Sequence, residues 1–287
     1  MSISASVNQK GERGFVYLNL QHPLIAWLAY RGQIFSASAL DPQAVSLNFA
    51  WYLIFKSAHR VRNFPDELAL ENLRQAKYLP AVSRLRGFYI FPTKKDALAA
   101  ARRQGGQSFQ SSTLVEVEIA PGSKASRHDM NWVSRNLGTG NQAWFGDYLA
   151  GAPESSNPIW EYIVEGRANI IDTSFRSAAI RTVEVCWPNS LDLLELSRIA
   201  NQRGSDFGAI IPIVTPSGDR HQLNFCIRAN ELRGNCPQFW TEIAEYDGKH
   251  GTNFADPRKQ FRLPDLREYS VFFDGNNFVP PLRKIFP

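Results

Sequence analysis

The stretch Ile159-Trp160-Glu161-Tyr162-Ile163-Val164-Glu165-Gly166 sets a carboxylate inside what otherwise reads as a buried β-strand. Tyr, Ile and Val favour a pleated, half-buried surface, and Asn157-Pro158 before it and Gly166 after it mark the ends. Alternation puts Glu161, Ile163 and Glu165 on one face and Trp160, Tyr162 and Val164 on the other. A carboxylate beside Trp and Ile costs free energy unless something partners it. Glu161 therefore marks either an edge position with one wet face or a catalytic group with company elsewhere in the chain.

Working outward, the composition bounds the answer. With 287 residues, 44% hydrophobic and 21% charged, the chain is globular and long enough for one elaborated domain or two. No run of 18 apolar residues is present, so no membrane-spanning helix is expected. The first ten residues lack the basic start and apolar core of a signal peptide. Cys186, Cys226 and Cys236 are odd in number, widely spaced and without a Cys-x-x-Cys pair. That pattern argues against a disulfide framework or a zinc site and suits the cytoplasm, or an effector exported by a specialised machine. The net charge of +5 favours polyanions or a dinucleotide without identifying one. Lys94, Lys95, Arg102 and Arg103, with Arg84 and Arg86 upstream, read as a solvated helix face. No nucleic-acid motif accompanies them.

Local patterns divide the chain into segments. Gly14–Leu20 reads as a strand, and the apolar run Leu24–Tyr30 as a strand or a short helix leading into one. Residues 42 to about 78 are helical in period. Arg86–Phe91 is a strand stopped by Pro92, followed by a helix over Lys94–Arg103 capped at Thr93. Thr113–Ile119 alternates as a strand with one wet face. Residues 123–157, with four glycines and little period, predict a long mobile loop near a site. Beyond residue 180 come a helix over Leu191–Ile199 and a hairpin turning at Pro216-Ser217-Gly218-Asp219.

Three segments belong together: Tyr30-Arg31-Gly32 ending the first, Gly87-Phe88-Tyr89-Ile90-Phe91 leading into an alanine-rich helix, and Trp160-Glu161-Tyr162-Ile163-Val164. Their order resembles the ADP-ribosyltransferase superfamily. The second and third segments are similar to its poly(ADP-ribose) polymerase and diphtheria-toxin branch, and Arg31 to its arginine-first toxin branch. The resemblance implies an α+β fold, a split mixed β-sheet around an NAD cleft, over residues 1–180. Residues 181–287 would form a β-containing extension for target recognition. It assigns Glu161 as the catalytic carboxylate and Arg31, Gly32 and Tyr89 to NAD. Glu116 and Glu118, a Glu-x-Glu on the preceding strand, are the rival catalytic pair.

The chemistry suits these residue types. Breaking the nicotinamide–ribose bond develops an oxocarbenium ion that a nearby carboxylate stabilises. A tyrosine face can stack on nicotinamide, a glycine lets backbone approach the carboxamide, and an arginine fork takes a phosphate or ribose oxygen. The expected activity is mono-ADP-ribosyl transfer from NAD to a protein side chain, and a nucleic-acid acceptor stays open. NAD glycohydrolysis and an inactive binding module are the alternatives. The branch's second stacking tyrosine is absent from the helix after Phe91, so Phe91, Trp144 or Tyr148 must supply the other face. No metal motif, Walker loop or dinucleotide fingerprint occurs, and His128-Asp129 reads as a surface pair.

Overall fold

The structure is a computed structural model and describes residues 5–6, 11–41, 43–54, 64–104, 109–233 and 236–274. Among them the strands are β1 (Ala5–Ser6), β2 (Arg13–Tyr17), β3 (Gln33–Phe35), β4 (Phe88–Ile90), β5 (Leu114–Ile119) and β6 (Lys124–Asp129). β7 (Trp160–Glu165), β8 (Arg167–Ile170), β9 (Ile210–Ser217), β10 (Arg220–Ile227) and β11 (Val271–Asp274) follow. The helices are α1 (Pro23–Arg31), α2 (Leu47–Ile54), α3 (Phe64–Lys77), α4 (Lys94–Gln104) and α5 (Met130–Asn136). α6 (Phe145–Leu149), α7 (Thr173–Cys186), α8 (Leu191–Gln202) and α9 (Pro237–His250) complete the set.

The class is α+β. Strands pair as three sheets, ordered β1-β6-β7-β4, β2-β5-β8-β3 and β11-β10-β9. Every strand pairing among the described residues is antiparallel, so the mixed sheet expected from the sequence is corrected. The physical reason lies in the connections. β5 runs on into β6 and β7 into β8 through a few residues each, so the two arms of this ribbon keep opposed directions in both sheets, β6 against β7 and β5 against β8.

Those two connections carry the chain between the first and second sheets at one corner. Lys124 faces Glu165 on one side of it and Ile119 faces Ala168 on the other. Residues 120–123 therefore lie opposite 166–167, an excess that bends the ribbon as a bulge does. Gly166 sits at the bend with φ 135°, and a Cβ there would fall 2.3 Å from Ser123 Oγ. Its N–H donates to Ser36 Oγ at 2.9 Å.

Of the two readings of the apolar run Leu24–Tyr30, the helix leading into a strand is the one observed, so Arg31-Gly32 ends a helix and not a strand. His22 Nδ1 accepts the Leu24 N–H, Pro23 stands at the first position, and Gly32 closes the helix at φ 93°. α1 buries Trp27 completely and lies on α7 and α8. One apolar core runs from Leu18 and Trp27 through Leu193, Leu196 and Phe207 to Phe254 and Leu266. The expected division at residue 180 thus falls inside α7, and core side chains from both sides of it interleave. The expected hairpin is present, with Gly218 and Asp219 between the paired Ser217 and Arg220.

Candidate functional site

β4, β6 and β7 place one row of side chains on a common face of the first sheet. Tyr89 pairs with Ile163, Ser126 also faces Ile163, and His128 faces Glu161. Period-two geometry then sets Tyr89, Ser126, His128, Glu161 and Ile163 on that face. Leu70 and Leu73 of α3, with Trp144, Phe145, Tyr148 and Leu149 at α6, pack over it. Glu161 is 5% exposed beneath them.

The carboxylate is held from two directions. Arg84 Nη1 donates to Glu161 Oε1 at 3.1 Å, and the Tyr148 hydroxyl donates to the same oxygen at 3.0 Å. Arg84 also forks onto Glu67 of α3, with Nε 3.0 Å from Oε2 and Nη2 3.1 Å from Oε1. Its guanidinium lies over the rings of Tyr89 and Tyr148, at 5.1 and 5.3 Å from their centroids. The Tyr89 hydroxyl donates to the Arg84 carbonyl at 2.9 Å, so strand and arginine brace each other.

Burial pushes the Glu161 carboxyl above its ordinary range, opposed by Arg84 and the Tyr148 hydrogen bond. Arg84 also suffers from burial, but Glu67, Tyr148, Tyr89 and Glu161 together hold it well above its usual value. It is the fixed positive charge of the cluster. Tyr89 and Tyr148 are raised by burial and stay protonated. His128 stacks on Tyr148 at 4.5 Å, and burial lowers its pKa to about 4. Its Nδ1 lies 2.8 Å from the Tyr148 carbonyl, which only accepts, so Nδ1 carries the proton. Nε2 then accepts from Ser126 Oγ at 2.7 Å, and that oxygen accepts the Val82 N–H.

Of the four expected site residues, Tyr89 and Glu161 are brought together and Arg31 and Gly32 are not. Arg31 ends α1, not a strand. Its Nε donates to Phe207 O at 2.9 Å and Nη2 to Ser205 O at 2.7 Å, and it shares no partner with Glu161. Gly32 caps α1, and a Cβ there would meet the Arg176 guanidinium at 2.8 Å. The rival Glu116 lies on the wet face of β5, partly exposed and bonded to Arg13. Glu118 shares that face.

Residues 123–157 are more ordered than their glycines imply, holding β6, α5 and α6. His128 and Asp129 are both buried, which corrects their reading as a surface pair. Asp129 caps α5 and accepts the N–H groups of Asn131, Glu154 and Ile159. Arg84, read from sequence as part of a solvated basic face, is instead the cation of the cluster. Its partners lie 17 and 77 residues away, beyond the reach of any local pattern. Among the described residues no group of His, Cys, Asp or Glu is placed to hold a metal, and no helix is long and apolar enough to cross a membrane. Comparisons with protein-family models, curated proteins and solved structures find no match to this chain.

Proposed function

We propose that the chain is an NAD-dependent mono-ADP-ribosyltransferase with Glu161 as its catalytic carboxylate. The observation that supports this reading is a buried carboxylate one strand from a tyrosine, with an arginine between them in contact with both. Strongly perturbed titratable groups gathered in this way are a mark of reaction centres. Glu161 would stabilise the oxocarbenium-like state as the nicotinamide leaves, and Tyr89 would present its ring to nicotinamide. Arg31 and Gly32 have no part in this reading, and Arg84 takes the place of the NAD-binding arginine. A swing of Arg84 from Glu161 onto the NAD pyrophosphate would free the carboxylate and uncover both tyrosine faces in one movement. Tyr148 then supplies the second stacking surface that the helix after Phe91 lacks.

The acceptor in this proposal is a macromolecule, with a protein side chain preferred. Incubation with labelled NAD and a cell lysate, with Glu161→Gln as control, tests it. Label should pass to macromolecules with the native protein, and turnover should fall by about a hundredfold or more in Glu161→Gln while NAD affinity holds within a few-fold. Free ADP-ribose without labelled macromolecule would select glycohydrolysis.

One observation favours a second reading, that of a binding module in which the cluster is a structural brace. Glu161 is covered by Arg84 and Tyr148, and Arg84 is held by Glu67 as well. In that case NAD at saturating concentration leaves the melting temperature unchanged, because a ligand that does not bind the native state cannot stabilise it.

A further inference from the structure

The face of β7 turned away from Glu161 carries aromatic side chains that the buried cluster does not use. Trp160 and Tyr162 alternate with Glu161 along the strand, so they stand on the opposite side of the sheet. Both are half-buried, which leaves part of each ring at the surface. Their backbone positions are about 7 Å apart, two residues along a strand. Arg127 of β6 faces Tyr162 in the register and is exposed. Its guanidinium lies 4.2 Å over the Trp160 ring.

A basic helix borders this face. The Trp160 N–H donates to Asp96 Oδ1 at 3.2 Å, which ties the start of β7 to the first turn of α4. α4 buries Ala97 and Ala100 and exposes Lys94, Lys95, Arg102 and Arg103. Lys95 and Arg102 are two turns apart, so they project from one side of the helix with a rise of about 10 Å between them. Among the described residues none of these four, nor Arg127, has an ion-pair partner. Asp96 is the one acidic residue of α4, and its carboxylate is taken up by Thr93 and the Trp160 N–H. A solvated helix face commonly mixes both signs and pairs them at three- and four-residue spacing. The exposed face of α4 carries one sign, and it stands beside aromatic side chains. Glu12, near Tyr162, is the acidic border of this surface.

We propose that the surface formed by α4, Arg127, Trp160 and Tyr162 binds single-stranded nucleic acid. Lys94, Lys95, Arg102 and Arg103 meet successive phosphates. Arg127, backed by Trp160, offers its guanidinium plane to a base, and the Tyr162 ring offers a second stacking surface beside it. An acidic peptide would satisfy the cations but bring no planar group to the rings, and a duplex keeps its bases stacked inside. Glu161 lies on the other face of β7, so binding here does not depend on the activity proposed above.

The test uses the whole protein and the fluorescence anisotropy of a labelled single strand of about ten nucleotides of mixed sequence. The native protein should bind it, and affinity should fall about twenty- to a hundredfold between 50 and 200 mM salt if about three to five phosphates are contacted. Lys95→Glu combined with Arg102→Glu should weaken binding about tenfold or more. Arg127→Lys keeps the charge but loses the plane, and should weaken binding about fivefold or more with the salt dependence unchanged. All three side chains are exposed, so the variants should unfold at the temperature of the native protein. Absence of binding by the native protein would overturn the proposal. So would equal affinity for the duplex of the same sequence or for polyglutamate, or undiminished binding in either variant.

Discussion

Glu161 and Arg31 are both charged, both buried, and handled in opposite ways. Around Glu161 the chain assembles a complete set of partners: one arginine serves two carboxylates, and a tyrosine hydroxyl completes the bonding. Around Arg31 it provides carbonyl oxygens and no counter-ion among the described residues. In the first place the charges answer one another across three segments, and removing the shared arginine strands both carboxylates. In the second a single cation clamps a turn, and its removal strands only dipoles. The difference teaches that burial alone does not identify a reaction centre. Arg31 is the more deeply buried of the two, yet Glu161 is the one surrounded by coupled titratable groups.

The largest effect should come from ending the chain at residue 180. This cuts α7 and removes the carbonyls that Arg31 grips, together with the core side chains of α8. The truncated chain is expected to lose cooperative unfolding altogether. A soluble fragment with a sharp thermal transition would show that the clamp joins separable parts.

Arg84→Met should come next, costing about 3–5 kcal/mol in urea melts, because Glu67 and Glu161 are left buried without their cation. His128 then offers a pH-dependent view of the same cluster. Its folded pKa is about 4, below the ordinary 6.5, so the unfolded chain binds the extra proton first as pH falls. Stability should be full above 6.5 and drain away between 6.5 and 4 by about 3 kcal/mol. His22 is lowered to a similar value, so His128→Gln and His22→Gln should each remove part of the slope. A pH profile unaltered in His128→Gln would mean that this imidazole is not held neutral.

Arg31→Met should cost less than Arg84→Met, about 1–2 kcal/mol, since two carbonyls lose a donor but no opposite charge is exposed. Equal losses for the two arginines would erase the distinction drawn above. Tyr148→Phe is the mildest, about 1 kcal/mol, because the hydroxyl's bonds to Glu161 and from Arg84 are lost while Arg84 and Glu161 still hold each other.

Much of this arrangement was legible in the residues. The strands around Tyr89 and Glu161, the capped helix after Phe91 and the hairpin at Gly218-Asp219 follow from alternation, proline and glycine placement. Leu24–Tyr30 was ambiguous by period, although Pro23 and Gly32 stand where a helix begins and ends. β6 was hidden because Lys124-Ala125-Ser126-Arg127-His128-Asp129 has no apolar alternation; it buries Ser126, His128 and Asp129, whose partners come from distant segments. Arg84 was hidden for the same reason. A local pattern reports how often a residue is buried, whereas a charged network depends on which distant groups arrive beside it.

The corner at Gly166 has a consequence for how the chain finds its pairing. Residues 114–129 and 160–170 form one bent ribbon whose register is shared by two sheets. A slip of one residue in β7 would carry Glu161 and Ile163 to the opposite face and displace β8 with them. Gly166 makes the observed meeting of the strands possible, since a Cβ there would strike Ser123, and the backbone at the bend is pinned by bonds to Ser36 and Ser123. The ribbon therefore has a single zero mark, and the loop between Asp129 and Trp160 must close onto it before either sheet is complete. Register selection at that mark, rather than the formation of any one helix, is the step expected to set the pace of folding.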